Sequence, residues 1–528
     1  MQVDVDWASL FRDPRRFFAL VYSQSSFCYG TQKLLLLNII LEVMKLLSQR
    51  RHAGVEAIEL SEPENGDASD TKRMEEMGRK PKIPLTRRLV HRQAVWGLAS
   101  TVVITWQNML FLSAIALSSG GLAGFLWSSV IVFVAMFVVY IGLREKAERW
   151  PVAAGQYYWV AQLAPCRYAK PLSFLSGWKL MSSWQVFLAA GVMIVGNGVA
   201  AVVVFLHGSS PFWLPTILGI ITTILIFVVN RWCPHLLAKA EFPMLIFHLI
   251  VFALFMAILL GLRKFSGLPY AAPGDVFFTF RNGGGWASIG AAVSLTATVP
   301  LSSAIRYDCI FHLGEEIRGA ATIMPTVLTW ACAVNFTLGL ATVLVIGFSV
   351  DDVDALLSTP LSQSGPVGPV IQMFATAIVS QPWTTSVSIM LIATLIPCCI
   401  NSDTAASRQL WAFAEDGALP IAAWIQKVDE KNGVPSNALM LTLIAPIGLS
   451  LLNLGSPTAL NAIISLVIVN LMASYLLVAS TSLYSRCTGT RKSPHELIYG
   501  LGHRTGIAVD SFTIAFLTAS SVIVLSIS

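Results

Sequence analysis

The chain has 528 residues, of which 55% are hydrophobic and only 12% are charged, and its net charge is +6. A soluble domain usually has about a quarter of its residues charged, because charge keeps its surface in water. This composition therefore excludes a soluble globular protein, and the small net charge gives no indication of nucleic acid binding. The eight cysteines show no spacing typical of a metal site or a disulfide framework, so no cofactor is expected.

The chain begins with a polar segment and continues with long apolar runs. Residues 1–84 are predicted to be a largely disordered cytoplasmic segment, because residues 50–80 are rich in Glu, Asp, Gly and Ser. Residues 85–528 are the predicted transmembrane domain. A membrane-crossing helix needs about 20 mostly apolar residues, because lipid offers no partner to a bare backbone amide. The sequence predicts an all-α membrane protein with eleven spans, near 95–117, 121–142, 172–206, 212–230, 242–262, 286–314, 322–349, 384–402, 437–454, 458–484 and 505–527.

Basic residues between the spans predict the orientation of the chain. Cytoplasmic loops collect Lys and Arg, and these residues are concentrated before the first span and after the second, fourth, eighth and tenth. The intervening loops are poor in them, with Arg263, Lys264 and Arg281 as the exceptions. The N-terminus is therefore predicted to be cytoplasmic, and an odd number of spans places the C-terminus on the opposite side.

Four polar or aromatic stretches lie in register with these spans. They are the run around Trp106 followed by Ser118–Gly121, the loop 151–165, the run 308–316 followed by Pro325, and the loop 407–420 followed by 434–438. In this order they resemble motifs of the amino acid–polyamine–organocation superfamily, in particular of the fungal group that holds the amino acid, GABA and choline permeases. The resemblance covers roughly residues 85–527. It departs from the family at Ala154, where the family usually has a glycine before Gly155.

The resemblance implies a fold of two inverted five-helix repeats, with the first and sixth helices broken near the bilayer midplane. Substrate is expected at the breaks, because unwound backbone in lipid is tolerated only where it lines a cavity. The resemblance also implies twelve helices, so the last one is expected to be missing from this chain. The residues assigned to substrate binding are Thr101, Thr105, Trp106, Ser303, Arg306 and Asp308. For the hydroxyl-bearing members, the alternative is a role in helix–helix packing.

Asp308 is the strongest single candidate among them. A carboxylate at the centre of a membrane helix costs about 2.5–3.5 kcal/mol on insertion scales, so it is a functional candidate by default. We expect it to contact a substrate amine or to titrate during transport. The alternative is a hydrated helix end. His312 lies four residues later, on the same face of a helix, where it could act as a proton relay or as an ordinary structural histidine.

Arg306 stands two positions before Asp308, where related permeases tend to place a small residue. If the chain is unwound there, both side chains can face one cavity, and Arg306 can pair with Asp308 or with a substrate carboxylate. Such a site would favour a zwitterion or an acid over a bare cation such as choline. The alternative is a shorter sixth helix, with Arg306 extending to the membrane surface.

A second group of residues lies in the predicted cytoplasmic loops. The residues assigned to these loops and to gating are Gly155, Gln156, Tyr157, Glu315, Glu316 and Arg408. For the aromatic run 157–159, the alternative is an interfacial belt of the kind found in any membrane protein. For the charged members, the alternative is a solvated cluster that holds the end of a helix.

The resemblance implies a proton-coupled permease of the plasma membrane for an amino acid, GABA, choline or a related small amine. Its expected partners are that substrate, protons and the lipid bilayer. The sequence has no phosphate-binding loop of the Gly-x-x-x-x-Gly-Lys-Ser/Thr type, which argues against an ATP-driven pump. It also lacks the clustered intramembrane histidines or carboxylates that a membrane enzyme would need. The alternative that stays open is a nutrient sensor or degenerate permease that binds without transport.

Overall fold

The computed structural model describes residues 74–77 and 92–526, apart from 363, 366, 430–432, 453, 455–458 and 490–496. All of them belong to one compact unit, which spans Asp67–Ser528. The predicted cytoplasmic segment 1–84 lies outside the described residues except at 74–77, so its predicted disorder and its cytoplasmic side stay predictions.

The described part of the chain is almost entirely helical. Its secondary structure besides helices is a single β-bridge between Asp429 and Val434. Ten helices are long and apolar enough to cross a membrane, and a shorter apolar helix, Ser436–Leu452, lies where the ninth span is predicted. In chain order they are α1 (Arg92–Phe111), α2 (Gly121–Arg149), α3 (Ala169–His207), α4 (Leu214–Trp232), α5 (Lys239–Phe265), α6 (Ile289–Leu313), α7 (Ala320–Ser349), α8 (Gln381–Glu415), α9 (Ser436–Leu452), α10 (Ala462–Thr488) and α11 (His503–Leu525). Each predicted span coincides with one of them, but only ten reach the length of a span.

Shorter helices lie in the connections between these long ones. They include Gln156–Leu163, Pro273–Phe277, Val353–Leu357, Gly368–Ile378 and Ala422–Ile425. The first of them follows the sharp turn after α2, and it packs against both α3 and α10. It therefore brings the loop 151–159 to the centre of the bundle instead of leaving it at the surface.

Two helices are broken where the sequence predicts. α1 is interrupted at Ile104, which adopts the left-handed conformation with φ 43° and ψ 42°. α6 is interrupted at Ile305 and Arg306, and Arg306 is also left-handed, with φ 86°. This conformation costs a non-glycine residue about 1–2 kcal/mol, so the surrounding contacts must hold it in place. The prediction that the first and sixth helices are broken is confirmed.

The broken helices lie at the centre of the bundle, and α2, α5, α7, α8 and α10 pack around them. The outermost helices are α4, α5 and α11, in which only 33%, 33% and 28% of the span is buried inside the protein. Their exposed residues are mostly large and apolar, which is the composition of a surface that faces lipid.

One cluster of charged residues inside the bundle is internally paired. Arg486 of α10 donates to Asp510 of α11 at 2.7 Å and also to Glu145 of α2, while Lys146 donates to Asp510 at 3.1 Å. These four charges sum to zero and are almost completely buried, so the cluster ties three helices together without a net charge in the membrane.

Two of the three basic residues that break the loop pattern have acidic partners. Arg263 pairs with Asp351 and Arg281 with Asp354, each at 2.5 Å. These two arginines therefore lie against the acidic loop that follows α7.

Candidate functional site

Hydrogen bonds join the two breaks directly. Thr105, the first residue after the break in α1, donates to the carbonyl oxygen of Ser303 at 3.1 Å and lies 3.1 Å from the hydroxyl of Tyr307. Asn108, one turn further along α1, donates to the hydroxyls of Ser302 and Ser303 at 3.0 and 2.9 Å. The second half of α1 is thus fixed against the break in α6.

A small cavity, with a volume of about 30 Å³, lies beside these breaks. Its walls come from α1, α3, α6, α8 and α10 and are mostly aliphatic. The exceptions are Asn108, Ser302, Arg306, Phe187 and the neighbouring thiols Cys398 and Cys399. Among the described residues that line the cavity, Arg306 alone carries a charge.

Arg306 is buried and bound to the ends of two half-helices. Its Nη2 donates to the carbonyl oxygen of Ser302 at 2.6 Å and, more weakly, to that of Val103 at 3.4 Å. These carbonyls lie at the C-terminal ends of the first halves of α6 and α1, where the helix dipole favours a cation. The guanidinium also lies 4.0 Å from the centre of the Phe187 ring, a cation–π contact.

Arg306 keeps hydrogen-bonding capacity for a ligand. In the described part of the chain, no residue accepts a hydrogen bond from its Nη1, and no carboxylate pairs with it. It is 4% exposed, so it does not extend to the membrane surface. Pairing with Asp308 and extension to the surface were two of the predicted arrangements, and both are wrong. In the structure, Arg306 is a cation that faces the cavity.

Asp308 lies in a separate polar network. Its Oδ1 accepts from the hydroxyl of Tyr475 at 2.7 Å. Its Oδ2 accepts from Gln156 at 2.9 Å and from the indole of Trp184 at 3.2 Å, and it lies 3.3 Å from Nε2 of His312. Asp308 is fully buried and does not line the cavity. A substrate amine in the cavity would therefore not reach it in this conformation.

The six residues predicted for loops and gating lie in one layer, which we call the loop layer: Gly155, Gln156, Tyr157, Glu315, Glu316 and Arg408. Arg408 of α8 donates to Glu316 at 2.8 Å, and Tyr157 donates to Asp416 at 2.7 Å. Glu315 accepts from the backbone amide of Ala153 at 3.3 Å. The layer joins the loop after α2, the second half of α6 and α8.

Gly155 sets the shape of this layer. Its φ of 55° and ψ of −125° lie in a region that essentially only glycine occupies. A side chain there would lie 3.5 Å from the ring of His312, which is an ordinary contact distance. Gly155 is therefore required by its backbone conformation, and a residue with a Cβ would strain the turn that carries Ala153 and Gln156.

The structure places two of the predicted substrate residues away from the cavity. Thr101 accepts a hydrogen bond at 2.9 Å from Asn401, which also donates to Glu241 at 3.0 Å. Trp106 donates to Nε2 of His248 at 2.8 Å. These contacts join α1 to α5 and α8. Thr105 and Ser303 lie behind the cavity wall, so Arg306 is the one predicted substrate residue that lines the cavity.

Sequence reasoning missed the residues that α3 and α8 contribute. Phe187, Cys398 and Cys399 lie in apolar runs with no local signal, so only the packing of the helices brings them to the cavity. It also missed Glu241 and Asp403, two almost completely buried carboxylates. A signal existed for both, because each carboxylate adjoins the end of a predicted span, where the rule applied to Asp308 would have singled it out.

Comparisons with known proteins place the chain among transporters. The family model for amino acid permeases matches residues 95–527. A choline transporter of Saccharomyces cerevisiae is 25% identical over 391 residues, which cover 73% of this chain and 67% of that protein. A GABA-specific permease of the same yeast is 26% identical over 414 residues, 76% of this chain and 69% of that protein. A Macrophomina phaseolina protein provisionally named an amino acid/polyamine transporter is 24% identical over 409 residues, 77% of this chain and 88% of that protein.

A solved structure shows the same fold. It is a nucleobase-cation-symport-1 family transporter in a closed conformation with bromovinylhydantoin bound, 12% identical in sequence, with a TM-score of 0.50. The match covers 84% of this chain and 94% of that transporter, which has the LeuT-like fold. With the family model matched from α1 to α11, the chain belongs to the amino acid permease family.

Proposed function

We propose that this chain is a proton-coupled secondary permease for a small substrate that carries a carboxylate, such as an amino acid or GABA. The single observation that supports this substrate class is Arg306 on the cavity wall, bound to helix ends and without a carboxylate partner among the described residues. The relatives, named for choline, GABA and amino acids, leave the class open between bare cations and zwitterions.

The ends of the broken helices bear on the charge of the substrate. In transporters with broken helices, the C-terminal ends of half-helices and the unwound carbonyls attract cations. In this chain Arg306 already occupies the carbonyls of Val103 and Ser302. A substrate cation placed about 4 Å from the guanidinium would be repelled by about 4 kcal/mol at an effective dielectric constant of 20. The site therefore disfavours choline.

The positive charge of Arg306 that repels a cation attracts a substrate carboxylate. A guanidinium offers planar donors that match the two oxygens of a carboxylate, and a charge-assisted hydrogen bond is worth about 1.5–3 kcal/mol. The aliphatic walls from α3, α8 and α10 suit a small apolar body. A zwitterion can place its carboxylate at Arg306 and its amine near the hydroxyl of Ser302 or the amide oxygen of Asn108.

Transport requires that the cavity open to each side in turn. We propose that the loop layer is the cytoplasmic gate, in a plasma membrane protein with a cytoplasmic N-terminus. Its contacts between α6, α8 and the loop after α2 must separate before substrate can leave on that side. A proton gradient is proposed as the driving force.

The test uses the purified full-length chain in liposomes. Uptake of radiolabelled alanine, GABA and choline is measured with an acidic exterior, with and without a protonophore, and binding of each is measured in parallel. We expect alanine or GABA to accumulate and the protonophore to abolish accumulation, with choline excluded. Binding without uptake would support the sensor reading instead. Preferential uptake of choline would overturn the proposed substrate class.

A further inference from the structure

We propose that Asp308 and His312 hold a proton between them while the loop layer is closed, and that they release it when the layer opens. This inference rests on the proposed proton-coupled transport and adds the site at which the proton is bound. Both side chains are fully buried, and Oδ2 of Asp308 lies 3.3 Å from Nε2 of His312.

The contacts of His312 place one proton on its Nδ1. This nitrogen lies 3.1 Å from the carbonyl oxygen of Ala153. A carbonyl oxygen can only accept a hydrogen bond, so Nδ1 must be the donor, and the tautomer is assigned by this partner. The other nitrogen, Nε2, faces the carboxyl group of Asp308, which in its ionised form is also an acceptor only.

A further proton therefore lies between Nε2 and Oδ2. Without it, two lone pairs would face each other and the buried pair would carry a net negative charge, which is costly away from water. Three neutral donors, on Tyr475, Gln156 and Trp184, also bind the carboxylate oxygens. Because these donors stabilise the ionised carboxylate, the extra proton belongs to the imidazole, and the pair is an imidazolium and a carboxylate.

No other cation in the described part of the chain pairs with this carboxylate. The titratable groups that face the pair from neighbouring elements are Tyr475 of α10, Tyr140 of α2, Cys309 of α6 and, beyond the backbone of Ala153, Glu315. None of these four can be cationic. Arg306 is bound to carbonyl oxygens, and Arg408 is paired with Glu316. The charge balance of Asp308 therefore depends on the proton of His312.

Opening of the loop layer would remove what retains this proton. Ala153 and Gln156 lie in the loop after α2, whereas Asp308 and His312 lie in the second half of α6. When these elements separate, His312 loses its carbonyl acceptor and Asp308 loses one donor, and water reaches both. Water can hydrate a lone carboxylate, so the imidazolium can transfer its proton to water and leave a neutral imidazole. Substrate release and proton release would then follow from one movement.

The experiment measures proton movement and substrate movement separately. The purified full-length chain is placed in liposomes that contain a pH-sensitive dye, with radiolabelled GABA or alanine as the probe, whichever the parent accumulates. The variants are His312→Gln and Asp308→Asn, which keep size and hydrogen bonding but cannot exchange the proton. Exchange of labelled for unlabelled probe, which needs no net proton movement, is measured alongside gradient-driven accumulation. His207→Gln, at the exposed end of α3, is the matched control.

We expect both variants to retain exchange and to lose accumulation and the proton influx that accompanies it. A gradient of one pH unit sustains about tenfold accumulation per proton, so the parent and His207→Gln should approach this and the variants should not exceed equilibrium. A merely structural role would reduce exchange and accumulation together, and that result would overturn the inference. Unchanged proton influx in either variant would also overturn it.

A rival carboxylate gives a further check. Glu241 is buried, and its Oε1 has no hydrogen-bond partner among the described residues. If Glu241→Gln uncouples exchange from proton influx while Asp308→Asn does not, the proton site lies at Glu241 and the inference is wrong. Failure of the proposed function would be seen in the parent, before any variant is compared. In that case the parent would move no probe at all, or would move the probe without protons.

Discussion

Arg306 and Asp308 are separated by one residue, carry opposite charges and lie in different environments. Arg306 lines the cavity, in a strained backbone conformation, with one guanidinium nitrogen left without a partner among the described residues. Asp308 is fully buried beyond the cavity wall, and both of its oxygens accept hydrogen bonds. The break in α6 turns the two side chains apart, so that neither neutralises the other.

This difference separates two tasks. A side chain with an unused hydrogen-bond donor beside a cavity can bind a ligand. A side chain whose hydrogen-bond partners come from several helices loses those partners when the helices separate. Arg306 therefore suits substrate recognition, and Asp308 suits the closure of the loop layer and the control of a proton. Substitutions can therefore disturb one region while leaving the other intact.

The largest expected effect comes from removing the carboxylate of Asp308. Asp308→Ala leaves a buried imidazolium without its partner, and breaking a buried charge pair in this way costs about 3–5 kcal/mol. Asp308→Asn keeps the hydrogen-bonding shape and should cost less. Thermal unfolding of the purified protein in detergent measures both. Equal stability of the parent and Asp308→Ala would mean that no charged pair exists there.

A smaller effect is expected from the turn that carries Ala153 and Gln156. Gly155→Ala forces a side chain into a glycine-only conformation, which costs about 1–3 kcal/mol. The control is Gly267→Ala, at another positive φ of 69° but with nothing within 4 Å. Both variants should lose stability, but only Gly155→Ala should reduce proton-driven accumulation. Equal accumulation in the two variants would show that the conformation of this turn does not affect the proton site.

The smallest effect is expected from Arg408→Gln in the loop layer. Its pair with Glu316 is largely buried, but glutamine can keep one hydrogen bond to that carboxylate, so the loss is about 1 kcal/mol, enough to raise the open population about fivefold. Labelling of Cys309 by a thiol reagent, in a chain with its other cysteines replaced by serine, should accelerate accordingly. The control is Arg281→Gln, which removes the exposed pair with Asp354. Acceleration in both variants would show that the effect is not specific to the loop layer.

Much of the fold could be predicted from the sequence, because the bilayer imposes a simple length rule. Every predicted span coincides with a helix, and the breaks in α1 and α6 were predicted from the family resemblance. The predicted number of spans depends on α9, which is apolar but shorter than the length that a membrane-crossing helix needs. The position of α9 in the sequence was predicted correctly, because its apolar composition distinguishes it from the flanking loops.

The candidate site was predictable only in part. The spacing of Asp308 and His312 predicted one face of an α-helix, and the structure has the two side chains 3.3 Å apart. The segment is a 3₁₀-helix with three residues per turn, however, so the spacing alone does not explain the contact. Trp106 contacts α5 and not the cavity. Phe187 and the thiols of α8 could not be predicted, because contacts between distant helices leave no local pattern.

The most direct test of the account is the ratio of choline uptake to alanine uptake in Arg306→Gly beside the parent. Glycine fits the left-handed backbone at this position without strain, so the variant should fold. Ile104→Gly, which relieves the same conformation at the other break without changing charge, is the matched control. If Arg306 binds a carboxylate and repels a bare cation, the ratio in Arg306→Gly should move toward choline by about tenfold or more, while Ile104→Gly stays near the parent. An unchanged ratio in Arg306→Gly, with transport intact, would contradict the account.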